Sequence, residues 1–261
     1  MSGNERHGPD EVAAERFRRD GYLVVPGLAP AAPRERMLAC VHEALDPLIG
    51  PAEYEADVHY PGAPVSRLAE GGDTPRRLLA AYARDAAFRE WATDPELDAW
   101  LRPLLDTDAV RMAQSHHNCV MTKQPGYSSA TLWHQDIRYW SFDRPDLITV
   151  WLALGHEHDA NGALRIIPGS HRLALDRGRL DAELFLRPEL PENRELIDSA
   201  RSVELEPGDA LLFHCNAFHA AGRNDTDAVK LSAVFTYHAA DNQPIPGTKS
   251  ASYPSIPMRS R

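Results

Sequence analysis

Between positions 34 and 48 the apolar residues Met37, Leu38, Val41, Leu45 and Leu48 fall three and four apart, which predicts one stripe of an amphipathic helix. Asp94-Pro95 has the form of a cap followed by a first-turn proline, and it opens a second predicted helix with Leu97, Trp100, Leu101 and Leu104 turned inward. The stretch 51–74 between them is rich in Pro, Gly and acidic residues and reads as loop. From about residue 109 the helical spacing fades. Short apolar runs between turn signals then predict strands at 118–122, 132–138, 147–154, 163–167, 203–205, 210–213 and 229–237. The run 147–154 is apolar on both alternating faces, as in a strand covered on both sides. Asn161-Gly162 reads as a hairpin turn, and Pro207-Gly208-Asp209 as another turn.

Many short strands in series, with helices ahead of them, predict a mainly β protein with flanking helices and a closed or sandwiched core of jelly-roll type. The whole chain, 1–261, reads as a single domain. It has a mainly helical flank over 1–108, a β core over 109–240 and a C-terminal tail over 241–261. The charged, weakly periodic excursion 172–200 is a candidate lid.

Composition narrows the function. Hydrophobic residues make up 43% and charged residues 25%, the mix of an ordinary globule. With 28 basic against 38 acidic side chains the formal charge is −10, which leaves no basic face for phosphate neutralisation and argues against nucleic acid as a partner. No apolar run is long enough to span a membrane. The first eleven residues are polar, so a cytoplasmic location is expected. Cys40, Cys119 and Cys215 cannot form a disulfide framework. The glycine-rich phosphate loop, the dinucleotide fingerprint and the nucleophile elbow are all missing.

The first chemical candidate is His134-Gln135-Asp136. On a strand, positions i and i+2 share a face, so imidazole and carboxylate can reach one ion. Alone this means little, because 12 histidines and 21 aspartates produce about one such triplet by chance. Its weight comes from the residues downstream: the double-faced strand, the Asn-Gly turn, Pro168-Gly169-Ser170-His171, Gly208-Asp209, and then His219 beside Ala220-Ala221-Gly222. Two histidines and a carboxylate with open positions suit non-haem Fe(II) and oxygen activation. Hydrolytic zinc accepts the same donors.

As an ordered set these residues resemble the phytanoyl-CoA dioxygenase family of Fe(II)- and 2-oxoglutarate-dependent oxygenases. Phe17-Arg18-Arg19-Asp20-Gly21-Tyr22 near the start and Asn224 downstream of His219 extend the match. The resemblance implies a double-stranded β-helix (cupin-like) core, with His134, Asp136 and His219 as catalytic iron ligands. It also implies Fe(II), 2-oxoglutarate and O2 as cofactor and co-substrates, and hydroxylation of a C–H bond in a small organic substrate with release of succinate and CO2. The family's arginine for the far carboxylate of 2-oxoglutarate falls at Lys230, with Ser232 two residues on. Lysine brings the charge without the bidentate fork. Lys230 and Ser232 are therefore the expected co-substrate holders, with Thr149 and Gln124 as further candidates. Lys123, next to Gln124, reads as a solvated strand end. Arg138, Tyr139 and Trp151 are expected near substrate. His156 and His158 read as exposed, and of the adjacent His116 and His117 at most one is expected to enter a pocket. Two rivals remain open at this point: a zinc-dependent hydrolase on a cupin-like barrel, and a non-catalytic ligand-binding barrel with a degraded co-substrate site.

Overall fold

The computed structural model describes residues 8–260; the first seven positions, most of the polar N-terminal run, lie outside it. Helices α1 (Glu11–Asp20), α2 (Ala31–Leu45), α3 (Ala81–Arg84), α4 (Ala86–Ala92) and α5 (Pro95–Leu104) form the N-terminal flank. The predicted stripe and cap are both present: Met37 and Val41 are buried, and the Asp94 carboxylate accepts from the Glu96 N–H at the head of α5. The flank is not purely helical, however. It also contributes β1 (Tyr22–Val25), β2 (Ala52–Tyr54) and β3 (Pro75–Leu79).

The later strands are β4 (Val110–Lys123), β5 (Thr131–His134), β6 (Leu147–Ala153), β7 (Leu164–Ile166), β8 (Arg201–Ser202), β9 (Ala210–His214), β10 (His219–Ala221), β11 (Lys230–Ala239) and β12 (Ile256–Pro257), with helix α6 (Pro191–Asp198) inside the 172–200 excursion. They make two sheets. The larger runs β1-β9-β6-β11-β4-β3-β2, with β12 paired to β4, and the smaller runs β5-β10-β7-β8. All the pairings are antiparallel. This is the expected jelly-roll.

Side-chain alternation explains how the layers hold. On β11, Leu231, Ala233, Phe235 and Tyr237 join the helices in one apolar cluster, which includes Phe88, Trp91 and Leu101. Val234, with Trp151 and Phe213, packs instead toward Leu164, Ile166 and Ala221 of the smaller sheet. All seven residues of β6 are buried, as expected for a strand covered on both faces.

Several expectations need correction. The 203–205 strand is absent; Leu205 makes an isolated bridge to Glu157, and pairing with β7 falls to β8. Asn161-Gly162 closes no hairpin, because β6 and β7 belong to different sheets and the link crosses between them. Gly162 is still required there. Its φ is +77°, and a Cβ would stand 2.7 Å from the Gly222 carbonyl oxygen. The 132–138 strand ends at His134 and continues as a 3-10 turn over Asp136–Tyr139. The tail is tied down by β12. The excursion is pinned to β5 by the Leu186 N–H, which donates to the Trp133 carbonyl at 2.9 Å. No helix among the described residues is long and apolar enough to cross a membrane.

Candidate metal centre and its cavity

His134 ends β5, His219 begins β10, and the two are direct cross-strand partners. Their rings lie 4.3 Å apart between centroids. The turn after β5 then swings Asp136 back toward them. Its Oδ1 stands 3.6 Å from His219 Nε2 and 3.9 Å from His134 Nε2. Ligand atoms from these three residues all lie within 4.8 Å of one another, and all three side chains are buried. It is the strand-to-turn switch, rather than strand alternation, that delivers the carboxylate.

The ring orientations suit coordination. His134 Nδ1 is 2.7 Å from the Leu132 carbonyl oxygen and His219 Nδ1 is 3.0 Å from that of Ala217. With Nδ1–H donating in each ring, both Nε2 lone pairs are left to the centre. Asp136 is held on both oxygens: Thr149 Oγ1 donates to Oδ2 at 2.7 Å, and His117 Nε2 lies 3.1 Å from Oδ1. Burial opposes its charge, but His117 and His219 keep the carboxyl well below the usual carboxylate range. Burial, reinforced by neighbouring His219, lowers His134 to about 3, which leaves the ring neutral and able to ligate at neutral pH.

Thr149, expected beside the co-substrate, is fully buried and gives its hydroxyl to a candidate ligand, Asp136. His116 and His117 both border the cavity, contrary to expectation. The β4–β11 register jumps between Asn118 and Ala113, so residues 114–117 bulge out of the ladder and lose simple alternation.

A cavity of about 720 Å³ opens from the triad. Its walls include Trp151, Leu164, Phe213 and Ala221 on the inner side and Tyr60, Tyr139 and Trp140 elsewhere. Arg138 does not line it; its guanidinium stacks over Phe185 at 3.8 Å, and Phe185 in turn faces the His134 ring. Gln124 is half-buried and also off the cavity wall.

Lys230 and Ser232 are brought together, but around a residue that the sequence pattern does not single out. The Glu157 carboxylate accepts from Lys230 Nζ at 2.9 Å, from Ser232 Oγ at 2.5 Å and from Trp151 Nε1 at 2.9 and 3.1 Å. Both members of the ion pair are almost fully buried. Glu157 lies between two histidines in what reads as an exposed connection. His156 is indeed exposed, paired with Glu206, while the bridge to Leu205 turns the intervening side chain inward. The clue available in the sequence is period-two alternation: if the flanking histidines face solvent, the acid faces the core.

Lys123 also departs from expectation. It is directly opposite Lys230 across the β4–β11 ladder, and it is buried on the cavity wall. Its Nζ donates to the carbonyl oxygens of Ser129 at 2.9 Å and Gly222 at 2.6 Å. Burial, with Lys230 adding repulsion, lowers its pKa to about 7. Folding therefore releases a proton that the unfolded lysine keeps up to its ordinary pKa of about 10.4. The penalty for burying this charge is fully present below about pH 7 and is relieved as pH rises toward the unfolded value. Wild-type stability should thus gain on that of Lys123→Met between those limits, by on the order of 1 kcal/mol per pH unit. Denaturant unfolding of both proteins at several pH values measures this; parallel pH profiles would contradict it.

Comparison with known proteins gives a consistent result. A family model described as phytanoyl-CoA dioxygenase (PhyH) matches residues 17–232. The dioxygenase cdmA of Talaromyces verruculosus is 33% identical over 92% of this chain and 76% of its own length. The ectoine dioxygenase of Halomonas elongata is 26% identical over 93% of this chain and 74% of its own. Among solved structures, the non-haem alpha-ketoglutarate-dependent epimerase SnoN from nogalamycin biosynthesis superposes with a TM-score of 0.69 at 26% identity, covering 88% of this chain and 83% of that one.

Proposed function

The chain belongs to the phytanoyl-CoA dioxygenase family, and from that premise we propose that it oxidises a C–H bond of a small organic substrate, most simply by hydroxylation. It is a non-haem iron, 2-oxoglutarate-dependent dioxygenase. The observation that supports the site assignment is the convergence of His134, Asp136 and His219, with both imidazole Nε2 atoms facing the carboxylate.

The donor set of two imidazoles and one carboxylate, with both Nε2 atoms turned toward the carboxylate, fits ferrous iron. When bound, iron and 2-oxoglutarate supply dioxygen activation coupled to oxidative decarboxylation of the co-substrate to succinate and CO2. The chain does the rest. His134, Asp136 and His219 would hold the metal, and Thr149 and His117 fix the carboxylate so that its orientation does not drift. Phe213, Trp151 and Leu164 give the inner cavity an apolar wall. Tyr139, which lines the cavity with its hydroxyl 3.4 Å from that of Tyr60, is the wall residue we assign to substrate. Arg138, stacked on Phe185 beside the site, is available to an anionic group at the rim. We read the chain as one domain, because strands from both its start and its end complete the larger sheet. We place it in the cytoplasm, since Cys40, Cys119 and Cys215 are all free.

Anaerobic addition of Fe(II) and 2-oxoglutarate should produce a visible charge-transfer band, and admission of oxygen should yield succinate. An iron-loaded protein that gives neither overturns the reading. Retention of zinc with hydrolysis in the absence of oxygen would replace it with the hydrolase.

A further inference from the structure

We propose that the far carboxylate of 2-oxoglutarate is received by Lys123, because the chain's own Glu157 already occupies the seat formed by Lys230, Ser232 and Trp151. This rests on the co-substrate assignment and deepens it.

Four buried or half-buried basic side chains gather at this end of the fold, and three of them have acidic partners. Arg76 meets Glu55 at 3.3 Å, Arg77 meets Glu53 at 3.3 Å and Lys230 meets Glu157 at 2.9 Å. Lys123 has no carboxylate within ion-pair distance among the described residues; its only acceptors there are two backbone carbonyl oxygens. An ammonium has three donors, so one is left over. A buried cation with no counter-ion is costly unless a ligand supplies the opposite charge. Lys123 lines the same cavity as the triad, whereas Lys230, Ser232 and Glu157 stand behind Trp151 and do not.

The Glu157 seat cannot simply be exchanged. Its carboxylate already accepts from an ammonium, a hydroxyl and an indole N–H. A second carboxylate taking those donors would leave Glu157 buried, charged and unpaired. Lys123 asks for no such displacement. Gly162 leaves room for its alkyl chain, since a Cβ there would come within 2.9 Å of Lys123 Cδ.

The test is calorimetric titration of 2-oxoglutarate, and separately of pyruvate, into the Fe(II)-loaded protein without oxygen. Pyruvate keeps the keto-acid end and lacks the far carboxylate. Lys123→Met should raise the 2-oxoglutarate Kd by about 30-fold or more while moving the pyruvate Kd by less than about twofold. The double variant Glu157→Gln with Lys230→Met, which removes the buried pair together and so spares the fold, should leave the 2-oxoglutarate Kd within about twofold of wild type. The proposal is overturned if the double variant loses 2-oxoglutarate and Lys123→Met does not. It is equally overturned if Lys123→Met weakens both acids alike. A wild-type protein that binds neither acid would instead count against the co-substrate assignment itself.

Discussion

Asp136→Ala should lower 2-oxoglutarate-dependent succinate formation by about a thousandfold or more, roughly 4 kcal/mol of transition-state stabilisation, and abolish stoichiometric ferrous iron. Asp136 is the one anionic donor of the triad, and its Oδ1 lies 3.6 and 3.9 Å from the two imidazole Nε2 atoms. Without it two neutral rings remain, and neutral rings alone hold a divalent ion weakly. His117 and Thr149 would lose their shared acceptor as well. Metal content and succinate yield give the answer, with near-ultraviolet circular dichroism to show that the core is intact. An alanine variant that keeps both iron and turnover would remove Asp136 from the centre.

The second large effect is on stability. Glu157→Ala should destabilise the protein by about 3–5 kcal/mol, because it strands the Lys230 ammonium in a site only 2% exposed. The Ser232 hydroxyl and the Trp151 N–H lose their acceptor in the same step. Removing both charges together is a different perturbation. Glu157→Gln combined with Lys230→Met should cost no more than about 1–2 kcal/mol, since no uncompensated charge is left behind. Denaturant unfolding of the single and double variants measures the contrast. If the double variant is as unstable as Glu157→Ala, the loss comes from packing at this position rather than from a stranded charge.

How far the sequence speaks for itself depends on which interactions set each feature. Strand β6 is legible as an unbroken apolar run covered on both faces, and β11 because an apolar face alternates with a mixed one. The face shared by Lys230, Ser232, Val234 and Thr236 does turn away from the helix-side cluster. His134 and His219 are legible as a pair of donors, yet the position of Asp136 depends on a turn that strand periodicity does not foresee. Lys123 is not legible, and Glu157 is so only through the alternation of its flanking histidines. Each is a charged residue in a connection or at a strand end, where solvent exposure is the ordinary outcome. What buries them is long-range. Leu205 bridges to Glu157, and Ser129 and Gly222 offer their carbonyl groups to Lys123. The short strands β1 to β3 escape notice for a related reason: each is stabilised by a partner distant in sequence, and their own patterns are too brief to stand out.

The outward step of β4 at residues 114–117 has a consequence for how this scaffold changes over evolutionary time. The ladder is registered on both sides of that step, so the four side chains it displaces into the cavity lie off the β4–β11 register. Gln114, Ser115 and His116 can therefore be exchanged, one at a time, with little disturbance to strand pairing, whereas His117 is committed to Asp136. Outside His117, the shape and polarity of that wall answer to contacts with the C-terminal segment at Ser250, Tyr253 and Pro254 rather than to the ladder, and new chemical selectivity can be acquired there without rebuilding the barrel.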